Sequence, residues 1–337
     1  MARTSRRRTG PPRRASWLVV AGAAVLAIVI GLVFAVASAQ RWFHTVTAQP
    51  PGVGTVVLAP AESKASLALG TTLDAAATAA TEYLAAQPTA YWLTPEQDPP
   101  GTAGETTAHL LAQARDQDVA LALVVYGLPG RDCGNHSAGG LEPDSYRGWV
   151  DEIAAALATA PDLQKIVILE PDSLALAPEC GNLDERTGQL RGAVESLDGP
   201  GTWIYLDGGH SGWLPAEEMA RLIGAVGAND RIRGFATNVS NYRSTFDEFD
   251  YARAVSEELG GLHAIVDTSR NGAATAGDEW CNPPGQRVGE PGGTYGDDVV
   301  DTNLWIKPPG ESDGPCNGGP AAGTFWPEGA IALAKSP

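Results

Sequence analysis

Ile166–Val167–Ile168–Leu169–Glu170–Pro171–Asp172–Ser173–Leu174 is the stretch whose reading decides the fold. Four aliphatic residues, three of them β-branched, run without polar alternation, the pattern of a strand buried on both faces of a parallel sheet covered by helices. Proline cannot donate to a ladder, so the strand is expected to end by Pro171. Glu170 and Asp172 then stand at the carboxyl end of a buried strand, where α/β folds keep their chemistry. The plain alternative is a strand terminus with two solvated acids, and the rest of the chain has to decide between them.

On both sides the same unit repeats. Residues 119–126 read as a second buried strand and 90–93 as a short aromatic one; 203–206, 234–237, 263–266 and 303–306 follow downstream. Helical composition or spacing marks 73–87, 106–117, 146–160, 190–197, 215–226 (with Pro215 at a favoured first-turn position), 248–259 and 327–335. About 30–45 residues separate successive strand ends, the length of one strand–helix–strand unit. No glycine-rich phosphate fingerprint follows the first strand, and polar residues stand beyond nearly every strand end instead of at one crevice. Those two features favour an α/β fold of the closed kind, a parallel (β/α) barrel, over an open doubly wound sheet, and a barrel gathers its strand ends on one face.

Composition narrows the function. The chain of 337 residues carries a formal charge of −17, and the six arginines of its first 40 residues, with no acid among them, make the remainder more acidic still. Such a surface repels phosphate backbones, so no nucleic-acid partner is expected. Those arginines precede residues 17–37, which hold no charge. Their length favours a membrane anchor, while Ala37–Ser38–Ala39 supplies a small-residue cleavage site of a signal peptide; either sends the folded part outside the membrane. Residues 1–40 are therefore set aside as a targeting segment, 41–70 read as a tether, and 71–337 as the barrel domain, expected to be monomeric. Cys133, Cys180, Cys281 and Cys316 permit three pairings, of which the sequential one would tie adjacent loops together. No Cys-x-x-Cys spacing exists and the five histidines are scattered, so neither a metal nor another cofactor is expected.

On the barrel face, Asp132, Glu170, Asp172, Asp207, Glu311 and Asp313 would meet Arg270, Lys307, His210 and Asn238, with Tyr126, Trp213 and Trp280 around them. Carboxylates beside flat aromatics suggest sugar: rings stack on the apolar faces of pyranoses while acids and amides bind hydroxyls. Acetal hydrolysis needs one carboxylic acid kept protonated and a second group to handle water, and crowding supplies the first, because a like charge nearby raises a carboxyl pKa.

The residues also carry a resemblance. Val125–Tyr126–x–x–Pro129–x–Arg131–Asp132–Cys133–Gly134 with Ser137–Ala138–Gly139–Gly140, then Leu169–Glu170–Pro171–Asp172–Ser173–Leu174, resemble the two signatures of glycoside hydrolase family 6, the cellulase B family. Tyr205–Leu206–Asp207–x–Gly209–His210–x–Gly212–Trp213, Asn238–Val239–Ser240–Asn241–Tyr242 and Trp305–Ile306–Lys307–Pro308–x–Gly310–Glu311–x–Asp313–Gly314 are similar to further blocks, in the same order, from about Ala90 to the C-terminus. The resemblance implies a distorted, incompletely closed barrel that cleaves β-1,4-glucan with inversion. It gives Asp172 the general-acid role, Asp132 the part of a tuning or proton-relaying partner, and Asp313 the position of the base. It places Tyr126, Asp207, His210, Trp213, Asn238, Arg270, Trp280, Lys307 and Glu311 on substrate-binding or charge-supporting positions. It also implies the bridges Cys133–Cys180 and Cys281–Cys316. The sequence departs from the pattern at Ala138, where some members carry a serine that holds the catalytic water; here the serine is Ser137. Short segments after the first signature and after Asp313 imply an open cleft and internal cutting, against a roofed tunnel in exo-acting members; the alternative is a roof supplied by the Gly- and Pro-bearing stretch 275–297.

Overall fold

A computed structural model describes residues 48–134, 137, 139–273 and 279–334, with scattered positions between 22 and 39. The chain divides into two units, 1–47 and 48–337. In the first, the described positions are helical. Most of residues 17–37 and all of Ala138 lie outside the described residues, among which no helix is long and apolar enough to cross a membrane.

In the second unit seven parallel strands follow one another in spatial order: β1 (Tyr91–Leu93), β2 (Leu121–Val125), β3 (Lys165–Leu169), β4 (Thr202–Asp207), β5 (Gly234–Thr237), β6 (His263–Asp267) and β7 (Val300–Leu304). Helices cover them: α1 (Lys64–Ala68), α2 (Ala75–Ala85), α3 (Ala103–Gln117), α4 (Pro143–Leu157), α5 (Ser173–Cys180), α6 (Leu183–Leu197), α7 (Ala216–Val226), α8 (Thr245–Glu258) and α9 (Pro327–Ala334). Successive strand residues face opposite sides, so each unbroken apolar run feeds two cores. In β3, Val167 and Leu169 join Leu121, Leu123, Val125, Ile204 and Leu206 against helix residues such as Trp149, Ile153, Leu190 and Ile223. Ile166 and Ile168 join Ala122, Val124, Tyr205, Ala236 and Ile265 in a second, smaller cluster that fills the concave side.

The sheet curls without closing. β1 and β7 share no ladder; near them the Ala90 N–H donates to the Trp305 carbonyl at 2.9 Å and the Trp92 Nε1–H to the Ile306 carbonyl at 2.8 Å. The incompletely closed α/β barrel expected from the sequence is what forms.

Three local expectations change. Residues 55–70, expected as a tether, pack into the unit: Val57 forms a parallel bridge with Ala120, and Leu58 is buried in the outer core. β7 begins at Val300, three residues before the expected start, and stops at Leu304. An unexpected helix, α5, follows Asp172 directly and carries Pro178 inside it.

Candidate active site

At the carboxyl ends of β2, β3 and β5 the backbone turns into the left-handed region at residues that are not glycine: Asp132 (φ 55°), Glu170 (φ 53°), Asp172 (φ 67°), Asn238 (φ 63°) and Ser240 (φ 61°). Each such residue costs on the order of 1–3 kcal/mol, and such strain clusters where side-chain placement matters. After β3 it aims two nearby acids at different partners. Glu170 is buried and accepts the Gly127 and Leu128 N–H groups at 3.0 and 3.1 Å. Asp172, at the N-cap position of α5 without capping it, lines a cleft.

Around Asp172 the acids press on one another. Burial, then the charges of Asp207 and Asp132, push its carboxyl well above the usual range, with Lys307 opposing. Asp207 sits just behind: its Oδ2 accepts the Asp172 N–H at 3.0 Å and the Gly209 N–H at 3.2 Å. Burial pushes Asp207 up to about 7, against the pull of those two donors. Asp132 is also raised by burial, while the Tyr126 hydroxyl, Arg131 and the Ser137 hydroxyl pull the other way. Tyr126 donates to its two oxygens at 2.8 and 2.9 Å. Asp313 is held differently, by a cation: Arg270 Nη1 reaches its oxygens at 2.8 and 2.9 Å, the Tyr242 hydroxyl donates at 2.9 Å and the Asn282 N–H at 3.1 Å.

The opposite wall is cationic and aromatic. Lys307 Nζ lies 5.1 Å from the centre of the Trp92 ring and 3.9 Å from Glu311, which Lys64 also reaches at 3.3 Å. Burial depresses the Lys307 ammonium, with Glu311 and Asp313 opposing. Arg131 stacks 4.3 Å over Tyr126 and pairs with Glu96 at 2.9 Å. The cleft holds about 810 Å³, ample for several sugar rings.

Of the expected site residues, Tyr126, Asp132, Asp172, His210, Trp213, Trp280, Lys307, Glu311 and Asp313 line this cleft together. Asp207, Asn238 and Arg270 do not; all three are buried beneath it. Asn238 Nδ2 donates to the Asp267 carbonyl at 2.8 Å, and Arg270 is engaged with Asp313. These three hold neighbouring side chains and backbone from beneath, whereas the expectation put all of them on substrate-binding or charge-supporting positions. Loop position can be read from a sequence, but the side of the loop a side chain faces is set by partners on other segments, Asp267 for Asn238 and Asp313 for Arg270.

Four contributors escaped the sequence reading. Trp92, Tyr242, Asp267 and Glu248 were unassigned, although Trp92 lay in an expected aromatic strand and Tyr242 inside a quoted block. Asp267 accepts the Ile306, Lys307, Ser240 and Ser269 N–H groups at 2.9–3.2 Å and so splices three loops. Glu248, buried on α8, accepts the Ser211 N–H at 2.9 Å and holds the turn bearing His210 and Trp213. Both bridges form as the resemblance implied, Cys133–Cys180 and Cys281–Cys316, with Cα atoms 6.0 and 6.1 Å apart. Among the described residues no group of three or more His, Cys, Asp or Glu is arranged to hold a metal ion.

The sequence profile of Glycosyl hydrolases family 6 matches residues 55–337. Endoglucanase A of Cellulomonas fimi is 42% identical over 256 residues, covering 76% of this chain and 56% of that protein. Endoglucanase A of Thermobispora bispora is 41% identical over 265 residues, again 76% and 56%. The chain thus spans little more than half the length of these relatives. Among solved structures, the endoglucanase Cel6 of Mycobacterium tuberculosis, in complex with a thio-linked cellobioside, superposes with a TM-score of 0.77 at 38% identity, over 85% of this chain and 98% of that one. The cellobiohydrolase Cel6A of Humicola insolens, with glucose and cellotetraose, gives 0.73 at 27% identity, over 83% and 97%.

Proposed function

Because the chain belongs to glycosyl hydrolases family 6, we propose that residues 48–337 form an inverting endo-β-1,4-glucanase with Asp172 as its general acid. The observation that carries this reading is Asp172 itself, in the cleft and held toward its protonated form by burial and by Asp207 and Asp132. A carboxyl in that state can deliver its proton to the leaving glycosidic oxygen. Water attacks from the opposite face of the ring. The Ser137 hydroxyl, beside Asp132, takes the water-positioning part that Ala138 cannot. Asp313 supplies the second carboxylate, kept in place by Arg270 and Tyr242. Trp92, Trp213 and Trp280 offer faces for sugar rings along the cleft. Two disulfides fit an oxidising, extracellular setting.

Internal cutting follows from the loops. After the first signature the chain returns at once: the Arg131 N–H bonds the Gly139 carbonyl and the Leu141 N–H the Gly127 carbonyl. After Asp313 it folds back as an antiparallel pair, with a Glu311–Phe325 bridge and the Ser312 N–H on the Thr324 carbonyl. Both segments are spent in these returns, and neither has the reach to roof the cleft. Soluble substituted cellulose should therefore lose viscosity well before reducing sugar accumulates, and proton NMR of early products should show the α-anomer. Slow viscosity loss with cellobiose dominating would make the protein a cellobiohydrolase, and early β-anomer would overturn the inverting mechanism.

A further inference from the structure

Among the described residues of the second unit, four aromatic side chains are strongly exposed: Phe246 at 81%, Trp280 at 45%, Tyr83 at 43% and Tyr295 at 37%. Trp280 lines the catalytic cleft. The other three line one separate groove of about 600 Å³, with Phe249, Asn271 and Arg287. An exposed aromatic carries a large unburied apolar face, and three gathered in one concavity are not the scatter of an ordinary surface.

The groove lies next to the cleft along the chain. Asn241, Tyr242 and Arg243 form cleft wall, and the very next residues, Ser244, Thr245 and Phe246, form groove wall. The ridge between them is pinned: Asn271 Nδ2 donates to the Arg243 carbonyl at 3.0 Å and to Thr245 Oγ1 at 3.1 Å. Ser244 Oγ caps α8 by accepting the Asp247 N–H, which sets Phe246 in the first helical turn. The platform is thus built on a helix start and a braced ridge.

We propose that this groove is a second binding surface for a β-glucan chain, gripping the polymer outside the cleft. The proposal rests on reading the cleft as a glucan site, because the occupant is argued from continuity with it and from the same chemistry. Aromatic faces stack on pyranose rings, and a guanidinium such as that of Arg287 at the groove wall suits hydroxyls, while Asn271 is spent bracing the ridge. A polymer long enough to leave the cleft over the 241–246 ridge meets the groove, whereas a short oligosaccharide fits within the cleft alone. The groove therefore selects for chain length without taking part in bond cleavage.

The test uses the full chain with Asp172→Ala, so that glucan stays intact, and measures retardation in gels containing soluble mixed or substituted β-glucan. Adding Phe246→Ala should weaken binding of the long polymer roughly 3–10-fold. Phe246→Trp should restore it, and binding of cellotetraose should not change. Phe246 is so exposed that its loss leaves the core intact; Tyr295→Ala provides an independent second variant with the same expected pattern. Unchanged polymer binding in both variants overturns the proposal, as does equal weakening for polymer and tetraose. Concentration-dependent dimerisation abolished by Phe246→Ala would reassign the groove to a second copy of the chain. If the unmutated protein cleaves no β-glucan yet is retarded by it in a Phe246-dependent way, the hydrolase reading fails while the groove stands.

Discussion

The two rims of the curled sheet handle charge in opposite ways. At the amino-terminal rim Asp301 accepts the Tyr205 hydroxyl at 2.7 Å and Arg233 through two nitrogens at 2.8 and 2.7 Å, with His263 Nδ1 at 3.0 Å. One buried acid there meets a bidentate cation and a hydroxyl, and its charge is satisfied. At the carboxyl-terminal rim Asp172 has Asp207 and Asp132 for neighbours, and the cations that could neutralise them are turned elsewhere: Arg270 to Asp313, Arg131 to Glu96 and Lys307 toward Glu311. Burial alone does not make a reactive carboxyl. What differs is the partner: a matched cation turns a buried acid into a structural tie, and a second acid keeps a proton on it.

Substitution at each rim should break different properties. Asp172→Ala removes the proton donor and should lower kcat on unactivated β-glucan about 10²–10⁴-fold with binding retained; turnover near that of the unmutated protein would dismiss Asp172 as the acid. Asp301→Asn leaves Arg233 short of its counter-charge. It should cost about 3 kcal/mol of stability, read as a lower denaturation midpoint, without moving the pH profile of kcat. A shifted profile with unchanged stability would erase the contrast between the rims.

Much of this was legible in the sequence, for physical reasons that also explain the gaps. β2 and β3 stand out because both of their faces are apolar: the five residues Leu121–Val125 and the four residues Ile166–Leu169 after Lys165 carry no polar interruption. β7 was misplaced because its interior is Val300–Asp301–Thr302–Asn303–Leu304: Asp301 belongs to the ion cluster and Asn303 Nδ2 to a bond with Thr268 Oγ1 at 2.7 Å. Polar residues buried for their hydrogen bonds look like loop. α5 was hidden by Pro178 and by its start on Asp172, where the strand-ending Pro171 suggested a continuing loop. The Pro- and Gly-bearing segment before α2 looked like a tether, yet Val57 and Leu58 found partners near β2 that only the folded sheet supplies. In the site, the acids were readable because each stands at a strand end, as Asp207 does, or in the loop that follows one. That Asn238 and Arg270 face backward, and that Glu248 braces the Trp213 turn from another helix, depends on packing between distant segments.

Burial, reinforced by the like charges of Asp207 and Asp132, keeps Asp172 protonated where an ordinary aspartic acid is ionised. A group whose pKa is raised stays protonated, and the acid stays competent, below that raised value; activity falls as pH climbs through it. The direct measurement is a carbon-13 titration of carboxyl-labelled aspartate, with Asp172 assigned by loss of its signal in Asp172→Asn. A midpoint well above the ordinary aspartate range is expected, matched by the alkaline limb of kcat, with a lower midpoint in Asp207→Asn, where the neighbouring charge is gone. A midpoint near 4, about the value of an unperturbed aspartate, or one indifferent to Asp207→Asn, would contradict it.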